Sequence, residues 1–393
     1  MSCRSEDGDV TIGLERIVTD QRSLLDGRRF SVVMNRASVD RNVQLACDVL
    51  SDAFPGQLQA ILTPQHGLWC EQQANMIETD HGWHTGLRVP VFSLYSSTRR
   101  PTDDMLADID CLVIDLQDVG TRVYTFIWTM LYCLQDCAAR NIPVVVLDRP
   151  NPIGGNVCEG PRLQLDCRSF VGEASIPMRH GMTICELAQY FNVRQNLNAD
   201  LTTVAMKGWQ REMDFESTRR IWVPPSPNMQ TVQTTFVYPG QVLLEGVNLS
   251  EGRGTTVPFE VVGAPFIDPE SFCRALHGLE LPGVRFLPIR FTPSFDKWAG
   301  QSCGGVSIHV TDRQVFRSYE MTVRLLCMCR QMYPQLFALN PPPYEYEHTL
   351  MPLDIISGSS ILREVLERGG DPGPALGLDQ TAWLAERKSS LLY

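Results

Sequence analysis

The chain of 393 residues contains no apolar run approaching the ~20 residues that a bilayer-spanning helix needs, so no membrane association is expected. Basic runs are missing as well. With 34 Lys and Arg against 45 Asp and Glu, the net charge is −11, which argues against a nucleic-acid partner. The polar stretch Met1 to Asp9 has none of the apolar character of a secretory signal, and the expected location is cytoplasmic. No C-x-x-C pair occurs among the thirteen scattered cysteines, so they read as mostly reduced, buried thiols rather than a disulfide framework or structural zinc. There is no H-E-x-x-H, no G-x-S-x-G elbow, no G-K-[ST] phosphate loop, and no G-x-G-x-x-G after the first strand. Neither a metal nor a dinucleotide or other cofactor is expected.

What is present is a repeated alternation. Cys111 to Ile114 is a continuous apolar run, suited to a strand buried on both faces. A polar segment with Asp115, Gln117, Asp118, Gly120, Arg122 and Tyr124 follows, and an apolar stripe at helical spacing continues from there to about Arg140. Similar runs start at Arg29, Leu58, Val89 and Pro143, separated by helical segments that include one reaching Ala53 from a cap at Ser38 or Asp40. This is the signature of βαβ units and a parallel, Rossmann-like sheet. The rigid Trp222-Val-Pro-Pro-Ser226-Pro-Asn228-Met229 stretch marks a domain boundary. The expected architecture is α/β: a disordered lead over 1–12, a Rossmann-like domain over 13–222, and a smaller α+β domain over 223–393. Val237 to Leu244 is read as a strand of the second domain.

In open α/β sheets, ligands bind outside the carboxyl ends of the strands. Three strand ends carry dense polar loops, 63–84, 115–124 and 148–162. The first holds Gln65, His66, Trp69, Glu71 and Glu78. The third holds Asp148, Arg149 and Asn151, with Arg149 able to clamp a carboxylate in a fork. Further groups are Arg179-His180-Gly181 and Ser250-Glu251-Gly252-Arg253-Gly254-Thr255-Thr256. Each has a plainer reading: Asp118 or Thr121 as a helix cap, Asp148 and Arg149 as an ion pair that fixes a loop, His66 as a satisfied structural histidine, the glutamates as solvated side chains. Together, carboxylates, amides and arginines on one edge suit a polar, hydroxyl-rich ligand bearing an anion, such as a sugar acid.

These runs, taken in order, resemble the exo-β-N-acetylmuramidase (NamZ) family. The resemblance is carried by Pro64-Gln-His-Gly67, Pro90 to Tyr95 with Thr98 and Arg99, Val113 to Gly120 with Arg122, Tyr124 and Thr125, and Leu147 to Gly155. It continues through Glu159-Gly-Pro161, Arg179 to Thr183, Ser226 to Met229, Tyr238-Pro-Gly240, Leu244-Glu-Gly246 and Ser250 to Thr256. It implies two domains with a cleft between them and a glycosidase, without a metal, that releases terminal non-reducing N-acetylmuramic acid from peptidoglycan fragments. One departure stands out: Gln65 replaces the Glu of the family's usual Pro-Glu-His-Gly motif.

A glycosidase needs a protonated acid at the leaving oxygen and a base, nucleophile or substrate amide opposite. The expected acid is Glu71 or Glu78, with Asp115 or Asp118 as the assisting carboxylate. His66, Gln117 and Asn151 would bind hydroxyls, Arg149 or Arg179 the lactyl carboxylate, and Tyr124 and Trp69 the ring. Gln65, Arg122, His180, Asn228, Glu251 and Arg253 complete the expected binding set. The expected partner is a small carbohydrate or muropeptide. A non-catalytic sugar sensor on the same scaffold, argued for by Gln65, and an enzyme acting on an unrelated polar metabolite are the alternatives.

Overall fold

Apolar runs buried on both faces dictate the centre of the molecule. In the computed structural model, which describes residues 9–73 and 77–393, the strands are β1 (Phe30–Val33), β2 (Leu58–Thr63), β3 (Gly82–His84), β4 (Val89–Ser93), β5 (Cys111–Ile114) and β6 (Val144–Leu147). A hairpin of β7 (Glu159–Arg162) and β8 (Pro177–Arg179) precedes β9 (Leu201–Val204). Seven of these form one sheet in the order β3-β4-β2-β1-β5-β6-β9. All neighbours in it are parallel except β3, which runs antiparallel to β4 at the edge.

Alternation along the strands separates two layers. Cys111 and Val113 face one side, where α1 (Gly13–Ile17) and α2 (Ala46–Ala53) pack with Leu14, Ile17, Cys47 and Leu50. Leu112 and Ile114 face the other, against α3 (Phe126–Arg140) and α4 (Ile184–Arg194). Thr183 caps α4 by accepting from the Glu186 N–H, and the Glu186 carboxylate accepts from the Thr183 N–H at 3.0 Å, a reciprocal capping box. The second face continues without a break into the other half of the chain, so one apolar core joins the two domains.

That half contains α5 (Val232–Gln241), β10 (Val261–Ala264), α6 (Pro269–His277), β11 (Val284–Phe291), β12 (Cys303–Val310), α7 (Ser318–Met332), α8 (Pro352–Ser357), α9 (Ile361–Arg368) and α10 (Thr381–Arg387). Its sheet is antiparallel, ordered β10-β12-β11. No helix among the described residues is long and apolar enough to cross a membrane.

Three expectations need correction. The strand expected over Val237 to Leu244 is the end of α5 and a 3-10 turn. Its β-branched and aromatic residues favour a strand locally, but the helix is buried on all sides and shows no amphipathic period. Gly240 allows its contact with α7: a Cβ there would lie 2.0 Å from the Ser318 carbonyl oxygen. The helix expected from Ser38 begins only at Ala46, because residues 38–45 form a loop in which Asp40 accepts backbone N–H groups of Asn42 and Gln44. In the expected disordered lead, residues 1–8 lie outside the described residues. Residues 9–12 are ordered: Thr11 exchanges backbone hydrogen bonds of 2.9 Å with Lys207, and Val10 and Ile12 are buried.

The end of the chain returns to the first domain. Trp383 Nε1 donates to the His180 carbonyl at 3.0 Å, and the Tyr393 hydroxyl donates to Asp148 Oδ2 at 2.6 Å. Asp148 lies at the end of β6, where burial pushes its carboxyl up to about 7 against the bonds from Tyr393, Cys185 and Thr183.

Candidate active site

The strand order reverses at β1, with β2 on one side and β5 on the other, so a ligand would be expected at the carboxyl ends of β1 and β5. The structure fills that point with side chains. Asp115 and Arg149 form a fork, Nε to Oδ1 at 2.6 Å and Nη2 to Oδ2 at 2.7 Å, and Arg149 Nη1 donates to the Val39 carbonyl at 3.0 Å. Both residues are buried. The expectation that Asp115 and Arg149 face a ligand is therefore corrected: each saturates the other.

The same holds for most of the polar groups around them. Gln117 donates to the carbonyls of Asp118 and Pro150. Asn151 donates to the Met182 carbonyl and accepts from the Ile153 N–H. Arg122 is buried against the carbonyls of Pro161, Ile176 and Ile356, which ties the first domain to α8. Arg179 pairs with Glu159 at 3.2 Å, and the other Glu159 oxygen accepts from the Tyr319 N–H in the first turn of α7. His180 Nδ1 accepts from the Met182 N–H, so the neutral ring carries its proton on Nε2, 3.2 Å from Asp118 Oδ2 but off the hydrogen-bond line. Asp118 Oδ2 accepts from the Gly120 N–H, an Asx turn, while its Oδ1 is buried without a partner among the described residues. None of these residues lines the cleft described next.

That cleft, about 490 Å³, lies between the domains. The first domain contributes Gln65, His66 and Tyr124 to Phe126; the connecting stretch contributes Ser226 and Asn228; the second contributes Tyr238, Glu245, Arg253, Tyr344 and Glu345. Of the expected residues, Gln65, His66, Tyr124, Asn228 and Arg253 therefore meet here. Gln65 Oε1 accepts from the Thr125 hydroxyl at 2.8 Å, which leaves its amide N–H groups as donors. His66 takes a left-handed φ of 73° beside Gly67 at 72°, a strain typical of ligand sites. Its Nδ1 lies 2.7 Å from the Gln72 carbonyl and must donate, so Nε2 is left as an acceptor. Burial lowers this ring to about 4, so it is neutral at neutral pH. The Tyr124 hydroxyl is buried without a partner in hydrogen-bond geometry among the described residues. Burial pushes it well above the usual tyrosine range, with Asp118 among the lesser contributors, so it remains an O–H donor.

Two carboxyl groups line the cleft, near enough for one to influence the other. Glu245 is held by Arg253 Nη2 at Oε1 and by the Tyr344 hydroxyl at Oε2, both at 2.6 Å. Arg253 is anchored from behind by Glu251 at 3.1 Å and stacks over Phe259 at 5.1 Å. Lys297 Nζ sits 2.6 Å from the second Glu251 oxygen, as a charge contact outside hydrogen-bond geometry. Glu251 thus acts one step behind the cleft wall. Glu345 is buried, and its Oε2 accepts from the Tyr95 hydroxyl at 3.0 Å. Burial, then the nearby Glu245, push its carboxyl up to about 7 against the influence of Tyr95, Arg253 and Arg99. Glu345 and Tyr346 occupy φ values of 45° and 67° at the centre of a turn closed by two 2.9 Å hydrogen bonds between Tyr344 and Glu347. Two left-handed non-glycine residues in succession are costly and are retained where the site demands them.

The expected acids lie elsewhere. Glu71 and Trp69 line a neighbouring hollow, and Glu78 is exposed and pairs with Arg99 at 3.3 Å. The sequence reading did not single out Glu345, Tyr344 or Tyr95 as site residues, and took Glu245 only as part of a motif. The available signal was Pro341-Pro342-Pro343, a stiff lead into alternating Tyr and Glu.

The chain is similar to proteins of one family along most of its length. A family model described as exo-beta-N-acetylmuramidase NamZ, N-terminal, matches residues 30–233, and its C-terminal counterpart matches residues 236–393. The chain is 43% identical over 361 residues to the peptidoglycan beta-N-acetylmuramidase NamZ of Bacillus subtilis (strain 168), covering 92% of this chain and 85% of that protein. Two DUF1343 family proteins of Bacteroides fragilis NCTC 9343 with crystal structures are similar over 98% of this chain and 99% of theirs. Their TM-scores are 0.88 and 0.74, at 31% and 26% identity. The chain belongs to the NamZ exo-beta-N-acetylmuramidase family.

Proposed function

We propose that this protein is a glycoside hydrolase that releases terminal, non-reducing N-acetylmuramic acid from peptidoglycan fragments, with carboxyl groups as the reacting acid and its partner. The observation that carries the reading is the buried Glu345 carboxyl, raised to about 7 by burial and by Glu245 on the wall of the same cleft. A carboxylic acid still protonated near neutral pH is what the leaving glycosidic oxygen requires. Gln65 cannot supply that proton, since an amide does not titrate; its position on the cleft wall supports a binding role. Glu245, oriented by Arg253 and Tyr344, stabilises the positive charge that develops on the sugar ring. Tyr124 and the Gln65 amide donate to the sugar's oxygens, and His66 Nε2 accepts from a hydroxyl.

The twelve described cysteines are all free, which suits a reducing compartment and the recycling of fragments inside the cell. The second reading, a sugar sensor without turnover, is favoured by one observation: Gln65 stands on the cleft wall where a titratable Glu would be expected.

Hydrolysis of para-nitrophenyl β-N-acetylmuramide, with the corresponding glucosaminide as control, separates the two. The enzyme reading expects release from the muramide only. Activity confined to Gln65→Glu would mark a scaffold that has lost its chemistry.

A further inference from the structure

One run that carries the family resemblance, Tyr95 with Thr98 and Arg99, contributes nothing to the cleft wall itself. It lies in the loop after β4, one layer behind the wall. The buried Tyr95 donates to Glu345 Oε2 at 3.0 Å. The ring of Tyr346, from the second domain, meets the Tyr95 ring edge to face, with centroids 6.2 Å apart and planes at 68°. The Arg99 guanidinium fills the corner between the two rings, 4.1 Å from the Tyr95 centroid and 4.5 Å from that of Tyr346. Its Nη1 donates to the Ser96 carbonyl of its own loop, and Nη2 pairs with Glu78 at 3.3 Å on the outer side. A cation over two aromatic faces is attracted by both, so one side chain joins Tyr95 of the first domain to Tyr346 of the second.

The turn that Arg99 touches needs such a fastening. The left-handed φ values of Glu345 and Tyr346 persist only where the surroundings over-determine them. The turn also sits at the rim of the molecule: Tyr346 is 43% exposed, whereas Glu345 beside it is 4% exposed. Burial is the largest cause of the raised Glu345 carboxyl, so its proton is kept only while the turn stays docked. We propose that Arg99 is a positioning residue, a clamp in the corner of Tyr95 and Tyr346 that holds the 344–347 turn against the first domain and so fixes Glu345 in the cleft. Glu245, Tyr95, Arg253 and Arg99 act on that carboxyl, and Tyr238 and Tyr344 respond to it. The inference rests on the proposed acid role of Glu345 for what the clamp serves, but the clamp is tested without it.

Arg99→Met keeps the reach of the side chain and removes its charge, and two effects then have opposite signs. Loss of a nearby cation alone would raise the Glu345 carboxyl further, since Arg99 is among the groups that lower it. Loss of the clamp admits water and lowers the carboxyl from about 7 towards the ordinary 4.5. The clamp predicts the second, because burial outweighs Arg99 among the causes. The Glu345 carboxyl signal, followed by carbon NMR of labelled glutamate and assigned by its absence from Glu345→Gln, should titrate at lower pH in Arg99→Met than in wild type. Arg99→Lys, which keeps the cation, should titrate near wild type. Tyr346→Leu breaks the contact from the exposed side and should reproduce the acid shift, which keeps the test decisive if Arg99→Met does not fold. Turnover of a natural disaccharide by Arg99→Met should fall about tenfold or more, through kcat rather than KM. A Glu345 midpoint that is unchanged or raised in these variants overturns the clamp, even if Glu345→Gln is inactive. An acid shift in a protein whose Glu345→Gln variant keeps full turnover leaves the clamp standing and removes the acid reading instead.

Discussion

Two buried carboxyl sites in this molecule look alike in sequence and behave as opposites. At the strand-order reversal, Asp115 meets Arg149 in a fork that engages both oxygens at 2.6 and 2.7 Å. In the cleft, Glu345 accepts from a neutral donor, Tyr95, and has a second carboxyl group as neighbour. Burial is common to both; the partner differs. A desolvated charge with a matched counter-charge is fixed and inert, and serves as a plug between loops. A desolvated carboxyl beside a like charge keeps its proton to an unusually high pH and becomes an acid. The lesson is that a dense polar strand end identifies a place where charges are buried, and the identity of each partner decides whether chemistry follows.

The sharpest way to break this contrast is Glu345→Gln. Turnover of a natural disaccharide should fall about 10²- to 10⁴-fold, and far less for the nitrophenyl glycoside, whose leaving group needs little protonation. Equal losses on the two substrates would remove Glu345 from the acid role. The next largest effect belongs to the plug. Asp115→Asn leaves Arg149 buried without its counter-charge and should cost ~3–5 kcal/mol in chemical denaturation, with kcat of the folded enzyme nearly preserved. A collapse of kcat at unchanged stability would make Asp115 a catalytic group after all.

The pH dependence follows from the same contrast. Activity should decline as pH rises through about 7, where Glu345 loses its proton. The stability change has the same direction. The folded value lies above the ordinary 4.5, so the unfolded state releases the proton first. Stability is therefore complete below pH 4.5 and is lost as pH rises through about 7. Asp148, also raised to about 7, adds a parallel loss. Melting temperatures of Glu345→Gln across this range should thus fall less steeply than those of wild type, without becoming flat. An unchanged slope would contradict the assignment to Glu345. The smallest effect is expected at Glu78, a half-exposed partner of Arg99. Glu78→Gln should change stability by no more than ~1 kcal/mol and lower turnover much less than Glu345→Gln. A loss as deep as that of Glu345→Gln would return the acid role to the loop after β2.

Much of the fold was legible because it rests on local pattern. The runs at Phe30, Cys111 and Val144 are apolar on both faces, as the strands of a covered parallel sheet are. The cap of α4 was readable from Thr183 and Glu186 three residues apart. Where a helix is buried on every side, as α5 is, the period vanishes and local propensity pointed to a strand. The site was legible to the extent that its residues sit at strand ends: Gln65, His66 and Tyr124 are there, and Asn228 and Arg253 lie in runs rich in proline or glycine.

Composition, alternation and motif order by themselves determined an α/β protein of this family, because each depends on residues near one another in the chain. Only the tertiary structure decided which polar groups are spent on one another and which face the cleft. Arg149 and Asp115 lie 34 residues apart in sequence, and Tyr95 and Glu345 lie 250 apart. A carboxyl's proton affinity is set by what is packed within a few ångströms of it, and at those separations no pattern along the chain records the neighbour.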